Sequence, residues 1–300
     1  MKPILKKFFV IFVITWLSLA AMPGQENADS AGKSFLWQVE GTAGKSYLLG
    51  SIHLLKEEHY PLKKAIEDAF AQTDVLAVEA DVSAKNLAKQ GMMLLQKGMY
   101  QGEDSLIKNL SEKTYRMAEK RLKDLGMDVV GFQKFKPWMV AMTISSLELI
   151  KLGFNPNLGV DKYFLEKASD KKEIAELEGM EFQINLFESF SKEENDKFLA
   201  STIIEADQTA KDIDTLVKAW ACGDIEQAEK SINENIHKYP ELEAMYKKLL
   251  DVRNENMVEK IISYLKSAKK YFVIVGAGHM VGKRGIVQLL QEKGFTVTQL

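Results

Sequence analysis

The chain has 300 residues, 46% of them hydrophobic and 27% charged, and 40 Lys and Arg against 42 Asp and Glu leave a net charge near −2. This is the composition of a globular protein with enough residues for one large domain or two modest ones. Acid and base are mixed along the chain without a basic patch, which argues against nucleic acid as a partner.

The first twenty residues place Lys2, Lys6 and Lys7 ahead of an apolar run from Phe8 to Ala20. Such a run is short for a bilayer span and suits a secretory leader, with Ser18 and Ala20 as the small residues of a cleavage site. The expectation is an exported protein, periplasmic or extracellular; an uncleaved segment would tether it to the membrane. Residues 21–32 are small and polar and read as a linker. Cys222 is the only cysteine, so no internal disulfide can form; in the apolar run KAWAC it reads as buried filler at a helix end.

The body, residues 33–300, reads as one domain. Apolar runs flank Gly41-Thr42-Ala43-Gly44-Lys45, the pattern of a hairpin. Pro61 opens a helical stretch with Leu62, Ala65, Ile66, Ala69 and Phe70 on one face. VLAVEAD follows as a buried strand ending in Glu79 and Asp81. From about 83 to 270 the periodicity is helical, with starts at Ser111, Pro137 and Ser191 and stops at Gly126, Gly153 and Gly223. Trp138 reads as packing at a helix start, and EIAELEG, Glu173 to Gly179, reads as a short strand inside this insert. The chain closes with a strand from Tyr271 to Val275, a helix around Gly285–Lys293 and a strand from Phe295 to Leu300.

Two stretches share a pattern. YLLGSIH ends in Gly50-Ser51-Ile52-His53, and YFVIVGAGH ends in Gly276-Ala277-Gly278-His279. At this glycine content, two of four histidines with Gly three residues before them arise by chance only about 2% of the time. Each stretch precedes a helix and a strand, which predicts an α/β fold with an internally duplicated β-(GxxH)-α-β core, a mixed central sheet and a large helical insert. Ligands of such sheets bind at the carboxyl ends of the strands, where His53, His279 and the strand-end Glu79 belong. Two imidazoles and a carboxylate on one rim can hold a divalent cation such as Mn²⁺ or Co²⁺. Alternatively, Glu79 orients a histidine acting as general base. His59 and His237, in polar stretches, are expected at the surface. Asp161 in LGVDKYF and Glu178 in AELEG are weaker site candidates, and the turn at Gly159 gives Asp161 the alternative reading of a helix cap.

Over Phe35 to Leu300 the chain resembles the TraB/PrgY/GumN family. The resemblance is carried by FLWQVEG, YLLGSIHLL, VLAVEAD, KPWMVAM, NLGVDKYFLEKA, ELEG, LLDVRNENM and VIVGAGHMVGKRGIVQLLQEKGFTV. It implies kinship with Tiki-type metalloproteases, erythromycin esterases and haem-handling ChaN-type proteins. It also implies a site built from Gly50, His53, Glu79, Gly276 and His279 with Arg253 of LLDVRNENM, which binds a substrate carboxylate or an oxyanion. Three functions follow as expectations: a metal-dependent hydrolase of peptides, a metal-independent esterase of small esters, and a protein that captures a peptide or haem without turnover.

Overall fold

The computed structural model of the chain describes residues 32–207, 209–238 and 240–300. The leader at 1–20 and all but the last residue of the linker lie outside the described residues. Among the described residues no helix is long and apolar enough to cross a membrane.

The fold is mixed α/β around one six-stranded sheet in the order β4-β3-β5-β2-β1-β6. β1 (Leu36–Gly41) and β2 (Gly44–Ser51) form the predicted hairpin, with Gly41 opposite Gly44. Gly44 takes φ 104°, a left-handed conformation that favours glycine and lets a two-residue turn close. β2, β5 (Tyr271–Gly276), β3 (Val75–Val78) and β4 (Glu173–Glu176) are mutually parallel. β1 runs against β2 and against β6 (Val297–Gln299).

Strand sequences follow from position. β5 lies between β3 and β2 with helices over the sheet, and Phe272 to Val275 are all at most 1% exposed, so an unbroken apolar run is required rather than alternation. Burial of each such side chain contributes roughly 1.5–3 kcal/mol. β4, at the sheet edge, keeps Glu173 and Glu176 exposed.

The two Gly-x-x-His units share an element order but dock differently. The helix Lys64–Ala71 carries the chain from β2 past β5 to β3, whereas Ile286–Glu292 carries it from β5 past β2 and β1 to β6. The first helix begins at Lys64, three residues after Pro61, because Lys63 remains extended at ψ 140°. Ser111 caps Glu112–Asp124, Pro137 opens Pro137–Lys151, and Ser191 with Glu194 forms a capping box. Gly126, Gly153 and Gly223 follow helix ends at positive φ. The insert has a cluster of its own in which Leu106, Leu122, Val140, Ile144 and Leu199 are fully buried. Trp138 is buried, stacks on Phe187 and donates to Glu188 Oε1 at 3.1 Å.

Cys222 corrects the sequence reading: it is exposed. Ala219 and Trp220 occupy the inward positions of the helix Thr209–Cys222. Two residues beyond Trp220 the helical rotation turns Cys222 to the opposite side.

Candidate active site

Because β2, β5, β3 and β4 are parallel neighbours, their carboxyl ends share one rim. Ser51 pairs with Gly276, and Val78 pairs with both Ile274 and Glu176. The residues that leave this rim are therefore His53 after β2, His279 after β5, Glu79 after β3 and Glu178 after β4.

His53 donates from Nδ1 to Asp161 Oδ2 at 2.8 Å, and the buried Ser51 hydroxyl donates to Asp161 Oδ1 at 3.0 Å. Gly159 permits this approach: a Cβ there would lie 2.3 Å from the His53 carbonyl oxygen. Val160 N then bonds Ile52 O at 3.0 Å, which brings Asp161 to the ring. The Asp161 carboxylate raises the His53 pKa from 6.5 to about 9, against the effect of burial. The His53 side chain is nevertheless 62% exposed, so solvent screens part of this pairing. Burial opposes ionisation of Asp161 itself, but the His53 charge and the bonds from His53 and Ser51 outweigh it and lower its pKa.

His279 is the opposite case. It is 5% exposed, and burial lowers its pKa to about 4 despite the Glu79 carboxylate. It is therefore neutral at neutral pH. Its Nδ1 donates to Asn254 Oδ1 at 2.6 Å; the Asn254 amide NH₂ in turn donates to Arg284 O at 2.8 Å. The acceptor-only partners, Asp161 and the Asn254 carbonyl, place the proton on Nδ1 of both rings. This leaves Nε2 of His279 with a lone pair.

Glu79 is buried and fully engaged. Its Oε1 accepts from Gly276 N at 2.7 Å, and its Oε2 accepts from Arg253 Nη2 at 2.5 Å and Gln183 Nε2 at 3.0 Å. Burial works against the charge, but His279 when protonated, His53, Arg253 and the Gly276 N–H lower its pKa. Arg253 also donates to Glu178 from Nε at 2.9 Å and Nη2 at 2.7 Å, and from Nη1 to Leu249 O at 3.2 Å. One turn of the helix Asp251–Leu265 thus positions both Glu79, through Arg253, and His279, through Asn254.

The expected groups converge. The point that a Cβ on Gly276 would occupy lies 3.4 Å from Glu79 Oε1, 3.6 Å from His53 Nε2 and 3.7 Å from His279 Cδ2. Gly50 lies one turn of sequence before His53 but faces Phe35. His59, expected at the surface, is half-buried, its Nδ1 3.3 Å from Lys56 O. The side chain of His237 lies outside the described residues. Sequence reasoning passed over Gln183, Asn254 and Ser51 and ranked Asp161 and Glu178 below the four main candidates. The available signal was that Asn254 adjoins Arg253.

As donors for a divalent ion, the two rings are suitably oriented, each through Nδ1 by an oxygen acceptor as histidine ligands are, and His53 would bind only on losing the proton from its Nε2. Glu79 already accepts three hydrogen bonds. Among the described residues no three His, Cys, Asp or Glu side chains are grouped as a metal cage.

Similarity to known proteins follows the fold over most of its length. The chain is 24% identical over 250 residues to a protein of Shigella flexneri described as uncharacterized protein YbaP, covering 82% of this chain and 88% of that one. YbaP of Escherichia coli (strain K12) is 24% identical over 249 residues, covering 82% and 87%. An uncharacterized protein of Treponema pallidum (strain Nichols) is 23% identical over 190 residues, covering 63% and 56%. No solved structure matches. The model of the TraB/PrgY/gumN family matches residues 35–299, so with both Gly-x-x-His loops, Glu79 and Arg253 inside that span, the chain belongs to the TraB/PrgY/gumN family.

Proposed function

We propose that the chain is an exported hydrolase that cleaves the acyl bond of a peptide or small ester. The observation that carries this reading is the convergence of His53 Nε2, Glu79 Oε1 and the His279 ring on one point above Gly276. The two imidazoles differ in protonation, which suits opposite roles in proton transfer. Water adds to the acyl carbon while its proton passes to the His279 Nε2 lone pair. The bond to the leaving oxygen or nitrogen breaks as that atom takes a proton from His53 Nε2. A carboxylic acid and an alcohol or amine result, and exchange with solvent resets both rings. Asp161 and Asn254 hold the rings in these forms; Arg253 fixes Glu79 rather than contacting the reacting group. The N-terminal leader pattern supports export.

A second reading adds a metal, and the basis for it is that both rings are oriented through Nδ1. His53 and His279 are the side chains that would hold a divalent ion such as Mn²⁺ or Co²⁺, the neutral form of His279 being the one that binds metal. Such an ion supplies Lewis acidity and a bound water of lowered pKa.

The test incubates the purified chain with a mixture of peptides and acyl esters and reads the products by mass spectrometry. The assay is repeated after chelation and after restoring Mn²⁺ or Co²⁺. Cleavage that is lost in His53→Gln and His279→Gln supports the hydrolase. Unchanged cleavage after chelation removes the metal reading. Substrates recovered intact but bound, or haem bound without chemistry, replace hydrolysis by capture.

A further inference from the structure

The two motif glycines have different physical reasons to be glycine. A Cβ on Gly50 would lie 2.5 Å from Phe35 Cδ1 and 2.9 Å from Phe35 Cε1, a collision with a side chain that is 1% exposed. Gly50 is there for packing. Gly276 has no such reason. Its backbone, φ −51° and ψ 139°, lies near the extended conformations open to L-residues. Its added Cβ would meet its neighbours at 3.4–3.7 Å, which is ordinary van der Waals contact. Its N–H bond to Glu79 Oε1, 2.7 Å long, would survive an added methyl.

Neither conformation nor packing therefore requires glycine at position 276. What a methyl there would do is fill the space faced by His53 Nε2, Glu79 Oε1 and the His279 ring. We infer that this space, one methyl group deep against the Gly276 Cα, is the acyl subsite: the planar ester or amide group of the substrate lies flat on the Gly276 backbone between the two imidazoles. The inference rests on the hydrolase reading and deepens it by naming where the reacting group sits and which residue keeps that place empty.

The asymmetry between the glycines means that the first loop is held by its packing and the second is shaped around the ligand.

The experiment compares Gly276→Ala with Gly50→Ala in the full chain. Gly276→Ala is expected to melt no lower than wild type, because the native backbone suits alanine and the unfolded chain loses freedom. Gly50→Ala is expected to melt lower. In labelled Gly276→Ala protein, the new methyl should show nuclear Overhauser contacts to ring protons of both His53 and His279. With a series of formyl, acetyl and longer acyl esters, Gly276→Ala should lower kcat/KM by about a hundredfold, the scale set by displacing a reacting group by about 1 Å. The loss should be smallest for the formyl ester, a grading that a purely structural role would not produce. A folded Gly276→Ala protein within threefold of wild type on every ester overturns this inference and leaves the hydrolase reading standing. A wild-type chain that leaves all the esters and peptides intact overturns the hydrolase reading, and the acyl subsite falls with it.

Discussion

Replacing Arg253 with Met keeps most of the side-chain length and removes the only cation hydrogen-bonded to both Glu79 and Glu178 among the described residues. The three side chains are 12%, 10% and 3% exposed, and the guanidinium bonds the carboxylates at 2.5 and 2.7 Å. Arg253→Met leaves two carboxylates side by side in a poorly solvated rim. Breaking a buried ion pair from one side costs about 3–5 kcal/mol, which at about 2–4 °C per kcal/mol lowers Tm by roughly 6–20 °C. The pH dependence has a defined sign. In the wild type the Glu79 pKa is lowered, so its stabilising contribution is present above the ordinary carboxylate pKa and is lost as pH falls through the lowered value. In the variant, burial and the neighbouring carboxylate no longer have a cation to offset them and raise the Glu79 pKa instead, and protonation then relieves the penalty as pH falls. Urea denaturation followed by tryptophan fluorescence at pH 7 and pH 5 should show a gap from wild type that narrows at pH 5. Adding Glu178→Gln should recover part of the loss. A variant within about 1 kcal/mol of wild type at pH 7, well below the buried-pair range, or a gap that does not change with pH, refutes the role assigned to this cluster.

Asp161→Asn should lower the His53 pKa from about 9 toward its ordinary value or below, read by NMR titration of the ring protons, because the Asp161 charge is the largest cause of the raised value. The matching stability contribution is fully present below about pH 6.5 and is lost as pH rises through about 9. With the His53 side chain 62% exposed, it should amount to no more than about 1 kcal/mol. Gly159→Ala should destabilise by about 1–3 kcal/mol through overpacking, since its Cβ would lie 2.3 Å from the His53 carbonyl oxygen. It should also disturb the His53 pKa, and a variant that matches wild type in both melting and titration would contradict the close approach. Cys222 is exposed and should react with a thiol reagent in native buffer as fast as in denaturant; a protected thiol would contradict its placement.

Local pattern in the sequence was sufficient for several elements. The hairpin at Gly41–Gly44, the buried strands ending at Ser51 and Val78, the caps at Ser111 and Ser191 and the Gly-x-x-His loops each depend on residues a few positions apart. Those constraints act on backbone conformation and on which face is buried, so they are written in short stretches. Placing His53, Glu79 and His279 on one rim needed only the further rule that ligands gather at the carboxyl ends of such strands.

The tertiary structure alone decided what those groups are. Asp161 reaches His53 across 108 residues of chain, and Arg253 reaches Glu79 across 174; neither partner is marked by any local periodicity. The two motifs are nearly interchangeable as sequence, yet His53 stands largely in solvent beside a carboxylate while His279 is buried against an amide. Gly50 packs on Phe35, whereas a Cβ on Gly276 would meet Glu79 and the two imidazoles at ordinary contact distance. Protonation state and free volume depend on every atom within a few ångströms, whatever its distance along the chain. They are settled when the helices close over the sheet.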